Sequence, residues 1–427
     1  MHLQLNSIKI VGKNRVEFDY SCDREVRKYF SKENFYAEYS IDITNVPASI
    51  LVIPFLGNIL PISWFAGFSV DVTDTDRDFY EAITLLKNAF ERYYPQIRDK
   101  KSSFTTLRVS ENCNTTQDRT AMLFSGGVDA FTTFFRHFDE TPDLITIKGA
   151  DIDVNDQEQW KGVVEFNKRT SALQRNKQFY IESNMRSFIS FEVERLLYGL
   201  GWWGKIQHGL ALTCLTAPIA YINKYKTVYI ASTRSSKMPF TPWGSMPEID
   251  NIVKFCNTRI DHDGYELTRF DKVRTIIELS KKHNEHPPLR VCYHNHKDKL
   301  NCNVCEKCCR TIFAIMVINK DPNLYGFSAD FRIYAQIEAH LKNGFSTEGV
   351  KFYWDELVNN ITLNDFYFFK NIEDETAELK KIIIANNVAQ TKGVISKGGS
   401  GRYIYKQKLI STYPKLFNLY LNLRRKL

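Results

Sequence analysis

The sequence predicts an α/β protein built on a parallel sheet with helices on both faces, and three observations carry that reading. Between about residues 117 and 328, short apolar runs alternate with longer amphipathic stretches. The first run ends in the glycine turn Ser125-Gly126-Gly127, and a helix reads on straight after it. Four closely spaced cysteines, Cys292, Cys302, Cys305 and Cys308, follow the last run. A β-rich region precedes this part (residues 1–116), and a helical, basic region follows it (residues 329–427). A chain of 427 residues should form two or three domains around a large core.

The N-terminal region opens with strand-like alternation at Leu3, Leu5, Ile8 and Ile10, then at Val16, Phe18 and Tyr20. Gly12-Lys13-Asn14 is the turn between them. Val46 to Val70 holds 25 residues without a charge, enough to span a membrane on length alone. Pro47, Pro54 and Pro61 interrupt it, so the stretch reads as two or three buried strands rather than a membrane helix. A helix is expected over about 76–94, with Tyr80, Ala82, Leu85, Leu86, Ala89 and Phe90 on its apolar face. The polar stretch 99–119 reads as linker, within which Phe104 to Val109 fits a strand.

The central region supplies strands at 121–124, 144–147, 178–181 and 227–231, with helices at about 156–173 and 204–223. Such alternation implies parallel strands, with ligands beyond their carboxyl ends. Ser125-Gly126-Gly127-Val128-Asp129 lies at one such end. Its glycines let backbone N–H groups approach an anion, and the following helix dipole favours negative charge there. Ser125 adds a hydroxyl, and Asp129 in the first helical turn suits Mg²⁺. No Gly-Lys-Ser/Thr follows, so the turn is not a Walker A loop.

The cysteines run C-x9-C-x2-C-x2-C, a spacing that closes a tetrahedron around Zn²⁺. Four thiolates fill the coordination sphere, which makes the metal structural. Cys309 beside Cys308, and His294 and His296 after Cys292, stay open as alternative ligands. Cys22, Cys113, Cys214, Cys256 and Cys309 are scattered and no secretory signal is evident, which fits a reducing cytoplasm.

The net charge of +8 is uneven. Lys392 to Leu427 carries nine Lys/Arg and no Asp/Glu, so the remainder sums to about −1 (8 − 9). Such a tail can meet nucleic acid, anionic lipid or an acidic protein. Its stripe of Leu416, Phe417, Tyr420 and Leu423 favours a helix lying on the body, so nucleic acid is not the preferred partner. Gly398-Gly399-Ser400-Gly401 marks a turn before it.

The glycine turn resembles the pyrophosphate loop of the PP-loop ATP pyrophosphatases, usually Ser-Gly-Gly-x-Asp-Ser, with Ala130 where the family has its last serine. With the late cysteine cluster it is similar to the 7-cyano-7-deazaguanine synthases, the QueC-like branch of that superfamily. Glu266-Leu-Thr-Arg-Phe-Asp-Lys272-Val resembles that branch's Thr-Lys-x-Glu-Ile helix, and Val291-Cys292-Tyr293 its Ser-Cys-Tyr. Cys302-Asn-Val-Cys305-Glu-Lys-Cys308, with Arg310 after it, resembles its Cys-Gly-x-Cys-x-x-Cys. The likeness covers about 119–318 and departs at Thr233–Asp250, where the branch has Ser-Gly-Tyr-Pro-Asp-Cys.

The resemblance implies an adenine nucleotide alpha hydrolase-like PP-loop fold with a zinc knuckle, using ATP and Mg²⁺. It implies adenylation of a small acid resembling 7-carboxy-7-deazaguanine, pyrophosphate release, and transfer of the acyl group to ammonia or a protein amine. Bacterial anti-phage defence is one setting for such enzymes. On this reading Ser125, Gly126, Gly127 and Val128 form the phosphate loop and Asp129 meets Mg²⁺. Ile147 and Lys148 approach the adenine through the backbone, and His208, Arg234 and Lys272 meet phosphate or carboxylate. Phe240, Trp243, Glu248 and Asp250 supply a stacking surface and polar groups for a planar ring, while Pro247–Asp250 also suits a plain helix start. A tRNA-modifying enzyme and a loop that binds nucleotide without turnover are the alternatives. A protein partner or oligomer stays open, and no membrane association is expected.

Overall fold

The computed structural model describes residues 1–112, 118–197, 201–292, 299–362 and 371–394. Cys113, His294, His296, the Gly398–Gly401 turn and the apolar stripe from Leu416 to Leu423 therefore lie outside the described residues. The chain divides into two compact units, one of residues 1–291 with 299–300, the other of Cys292 with the residues from Asn301 on.

The first unit is α/β. Its strands are β1 (His2–Val11), β2 (Arg15–Cys22), β3 (Tyr36–Tyr39), β4 (Ser69–Asp76), β5 (Phe104–Ser110), β6 (Thr120–Leu123), β7 (Asp143–Lys148), β8 (Gln178–Ser183), β9 (Thr227–Ala231), β10 (Lys254–Phe255) and β11 (Thr258–Asp263). They form one mostly parallel sheet in the order β10-β11-β9-β6-β7-β8-β3-β2-β1-β4-β5, flanked by helices. From β8 to β11 every neighbouring pair is parallel. Within that stretch the chain order is third, second, first, fourth, fifth. The order reverses between β6 and β9, and open parallel sheets bind ligands at such a reversal, beyond the strand carboxyl ends.

The expected strands at 121–124, 144–147, 178–181 and 227–231 are all present, as is one at 104–110. Strands β7 and β9 are buried nearly throughout, as strands covered on both faces should be. The N-terminal region, expected to be separate, belongs to this same sheet. Its β3 pairs antiparallel with β8, Ala37 opposite Ser183 and Tyr39 opposite Ile181. That pairing covers an edge of the parallel strands that would otherwise show a bare row of N–H and C=O groups.

The uncharged stretch is corrected more sharply. In place of buried strands it forms the helix Ile53–Ala66, after a single turn at Ala48–Leu51, and β4 starts only at Ser69. Pro54 sits in the first turn, where no N–H is needed. Pro61 lies inside the helix. A spacing of seven residues is nearly two turns, so both prolines fall on one face instead of breaking the helix all round. Every residue from Ile53 to Phe65 is buried, and that burial outweighs the roughly 3 kcal/mol an interior proline costs. Among the described residues no helix is long and apolar enough to cross a membrane.

The helix expected at 76–94 runs Arg77–Tyr93 and is capped by Asp76, which accepts from Phe79 N at 3.3 Å. The one at 156–173 runs Gln157–Arg169, capped by Asp156. The one at 204–223 is broken into a wide turn at Trp203–Gln207 and two helices, His208–Leu215 and Ala217–Asn223. The described part of the second unit is mainly helical: Glu306–Val317, Ile333–Lys342, Glu348–Asn359 and Ile372–Lys392. Trp354 Nε1 donates to Glu306 Oε1 at 3.0 Å, tying the third of these to the first.

Helix Ile53–Ala66 lies directly on helix His208–Leu215 at Gly57, where an added Cβ would stand 2.5 Å from Cys214 Cβ. Gly57→Val should therefore destabilise the protein by about 1–3 kcal/mol through overpacking. Urea unfolding followed by circular dichroism measures this, and an unchanged midpoint would rule out the close contact.

Candidate functional site

The site is built where β6 and β9 end. Strand β6 stops at Leu123, and helix Val128–Arg136 begins directly after the glycine turn. Gly126 has φ +75°, and a Cβ there would meet Phe166 Cε1 at 2.7 Å, so both backbone and space require glycine. Gly127 is the N-cap and offers no side chain to the first turn. The side chains of Val128 and Ala130 are buried, so they present only their backbone. Ser125 is exposed, with Gly127 N pointing at its Oγ from 3.5 Å. Arg290 braces the turn: its N donates to Gly126 O at 2.8 Å and its Nε to Ser125 O at 3.3 Å.

Asp129 is held by two cations. Arg269 Nη2 lies 2.9 Å from Oδ2 and Lys272 Nζ 3.0 Å from Oδ1. The Lys272 ammonium also donates to Ser232 O, just past β9. One buried ammonium thus joins the two strand ends across the reversal. Burial pushes the Lys272 pKa below the usual lysine range, and Asp129 opposes that shift. Helix Arg269–Lys282 opens with a capping box: Asp271 N donates to Thr268 Oγ1 and Thr268 N to Asp271 Oδ2, at 3.0 and 3.1 Å. The box fixes the first turn, and the (i, i+3) spacing brings Arg269 and Lys272 onto one side. Sequence reasoning missed Arg269 and Arg290. The same (i, i+3) spacing was the available signal for Arg269; Arg290 comes from a distant loop with no local signal.

Other expected residues are placed as follows. Ile147 is half-buried near the end of β7. Lys148 is fully buried and pairs with Glu182 on β8, Nζ–Oε2 2.8 Å, so its ammonium is committed there. Arg234 donates from Nη2 to Pro239 O at 3.0 Å and closes its own loop.

His262 and Asp263 are adjacent on β11, so their side chains point to opposite faces. Asp263 accepts from Thr133 Oγ1 at 2.7 Å on the face of helix Val128–Arg136. On the other face, His262 Nδ1 and Asp250 Oδ2 are 2.7 Å apart, with both side chains 0% exposed. Ser245 Oγ donates to the same oxygen at 2.6 Å. The His208 ring lies 5.2 Å from that of Trp203 and 6.2 Å from that of Trp243, and burial lowers its pKa. Four buried atoms of this region have no hydrogen-bond partner among the described residues: His208 Nδ1, Trp243 Nε1, Asp250 Oδ1 and His262 Nε2.

The four residues expected to hold a planar ring are thus divided. Trp243 and Asp250 stand with His208 and His262 in this cluster, where Asp250 and His262 are buried and Trp243 and His208 half-buried. Phe240 and Glu248 are exposed beside Tyr93, whose ring is 5.5 Å from that of Phe240 and whose hydroxyl donates to Glu248 Oε2 at 3.1 Å. Pro247–Asp250 forms a single helical turn with proline at its start.

In the second unit the thiols of Cys292, Cys302, Cys305 and Cys308 all lie within 4.8 Å of one another. Cys292–Cys305 and Cys302–Cys308 sulfur separations are 3.9 and 3.8 Å. Sulfurs about 2.3 Å from one tetrahedral Zn²⁺ would be about 3.8 Å apart, so the group is compatible with zinc. The N–H groups of Val304 and Cys305 point at Cys302 Sγ from 3.5 and 3.2 Å, and Asn303 at φ +61° turns the knuckle. Cys309 stands apart, its Sγ facing Gln336 Oε1 at 3.9 Å, and burial pushes its thiol up to about 12.

No family model, no curated protein and no solved structure matches this chain. Elemental analysis of the purified protein should find one zinc per chain. Cys302→Ser should lose it and Cys309→Ser should keep it; a Cys309→Ser protein without zinc would show that the ligand set is wrong.

Proposed function

We propose that this chain is an ATP-dependent ligase of the QueC-like kind. It adenylates a carboxylate, releases pyrophosphate, and joins the acyl group to a nitrogen nucleophile. The observation that carries the reading is the glycine turn with Asp129 at the reversal point of a parallel sheet, with Lys272 bridging both strand ends. The family resemblance supplies the reaction, and the buried polar cluster on the other face of β11 supports a separate place for the acid.

In the first step a substrate carboxylate oxygen attacks the α-phosphorus of ATP and the bond to pyrophosphate breaks. In the second the nitrogen attacks the acyl carbon, AMP leaves, and the nitrogen loses a proton. Neither step asks much titration of the protein, so the work is positioning and charge stabilisation. The backbone of Ser125, Gly126, Gly127 and Val128 and the helix behind it would face phosphate oxygens. Lys272 would meet the same charge. Asp129, a hard oxygen donor in the first helical turn, suits Mg²⁺, which when bound neutralises the polyphosphate. The acid would be of the 7-carboxy-7-deazaguanine class and the acceptor ammonia or a protein amine, the latter in keeping with an anti-phage role. A binding-only reading has one observation in its favour: Ala130 is buried and offers no hydroxyl where the family has serine.

The test incubates the protein with ATP, Mg²⁺, 7-carboxy-7-deazaguanine and ammonium, following pyrophosphate and the mass of the base. Acid-dependent pyrophosphate is expected, falling on the order of 10²-fold in Asp129→Asn and in Lys272→Met. Nucleotide binding without pyrophosphate, across several acids and amines, would favour the binding-only reading.

A further inference from the structure

Asp129 is the residue proposed above to meet a divalent cation, yet both of its oxygens already face cations. Arg269 takes Oδ2 at 2.9 Å and Lys272 takes Oδ1 at 3.0 Å. Asp129 and Arg269 are each 17% exposed and Lys272 3%, so these charges are poorly screened by water. Arg290 holds the turn itself, and Asp151 is the acid that acts on it. Asp263, the next carboxylate toward Lys272, is engaged by Arg136 at 3.1 Å and by Thr133. Among the described residues in direct contact at the turn, two cations (Arg269, Lys272) face one carboxylate (Asp129), leaving +1. Such a site repels a bare divalent cation and attracts a polyphosphate. The planar fork of Arg269 and the ammonium of Lys272 are the groups that bind phosphate oxygens well.

We propose that Arg269 is a second phosphate-binding cation of the site, and that polyphosphate draws Arg269 and Lys272 off Asp129. The carboxylate becomes a metal ligand only then. Nucleotide binds first or together with its metal, and free metal does not load the site. This rests on the ATP reading above and adds an order of binding to it.

Mn²⁺ uptake by the full chain, read by electron paramagnetic resonance, tests the exchange without any turnover. Wild type without nucleotide should take up no Mn²⁺ at sub-millimolar concentrations. It should bind α,β-methylene-ATP even in EDTA. Arg269→Gln should gain Mn²⁺ affinity and lose metal-free nucleotide affinity, each by about tenfold or more, the size of one charge-assisted contact. Arg269→Lys should restore much of both. Nucleotide-free wild type that binds Mn²⁺ as well as Arg269→Gln does overturns the exchange, as does an Arg269→Gln protein with unchanged nucleotide affinity. Should circular dichroism show Arg269→Gln unfolded, wild type alone decides, since Mn²⁺ uptake before nucleotide overturns the proposal. Wild type that binds no nucleotide, with or without metal, overturns the ATP reading and the exchange with it. That outcome is distinct, because the others occur in protein that binds nucleotide.

Discussion

The arrangement at the strand ends depends on one buried ammonium. Lys272 is 3% exposed, and removing an ammonium from water costs several kcal/mol unless it is paired and hydrogen-bonded. Its partners are the Asp129 carboxylate, in the helix after β6, and the Ser232 carbonyl, just past β9. Meeting that requirement ties helix Val128–Arg136, helix Arg269–Lys282 and the end of β9 to a single point. Thr132 Oγ1 reinforces it, lying 3.3 Å from Lys272 O. The capping box at Thr268 sets the phase. A shift of one residue would turn Lys272 by about 100° around the helix and leave the charge buried without a partner.

That same pairing gives the site its electrical character. The first helical turn of Val128–Arg136 points N–H groups outward with no capping side chain, and cations stand beside them. The other face of β11 is different in kind. There a carboxylate, two imidazoles and an indole stand together, with Ser245 holding one carboxylate oxygen. The strand thus separates a cationic neighbourhood from a polar one of different chemistry.

How much of this was legible follows from which interactions are local. Strands β6, β7, β8 and β9 were readable because burial leaves compact apolar runs bounded by polar residues. The turn was readable because Gly126 is required by its own backbone and by Phe166. The continuity of the sheet was not. The pairing of Ala37 with Ser183 joins strands far apart in the chain, and nothing in either strand names its partner. Helix Ile53–Ala66 was misread because proline was weighed as a local breaker, whereas burial on every side decided the outcome. The division of Phe240 and Glu248 from Trp243 and Asp250 was likewise invisible. One Pro-rich loop can send neighbouring residues to the surface and to the interior, and Asp250 goes inward because His262 waits there.

The enclosed cluster carries a further physical consequence. Each buried polar atom left without a hydrogen bond costs about 1–3 kcal/mol, and four such atoms stand together here. Ordered water or the polar edge of a ligand would offset that cost. Their chemistry says what such an edge must present. The bare oxygen of Asp250 calls for a donor, the indole N–H of Trp243 for an acceptor. His208, whose charge is disfavoured by burial, can serve as either through its Nδ1. A neutral edge carrying both donors and acceptors would match this cluster, and an anion would match the cations beside Asp129.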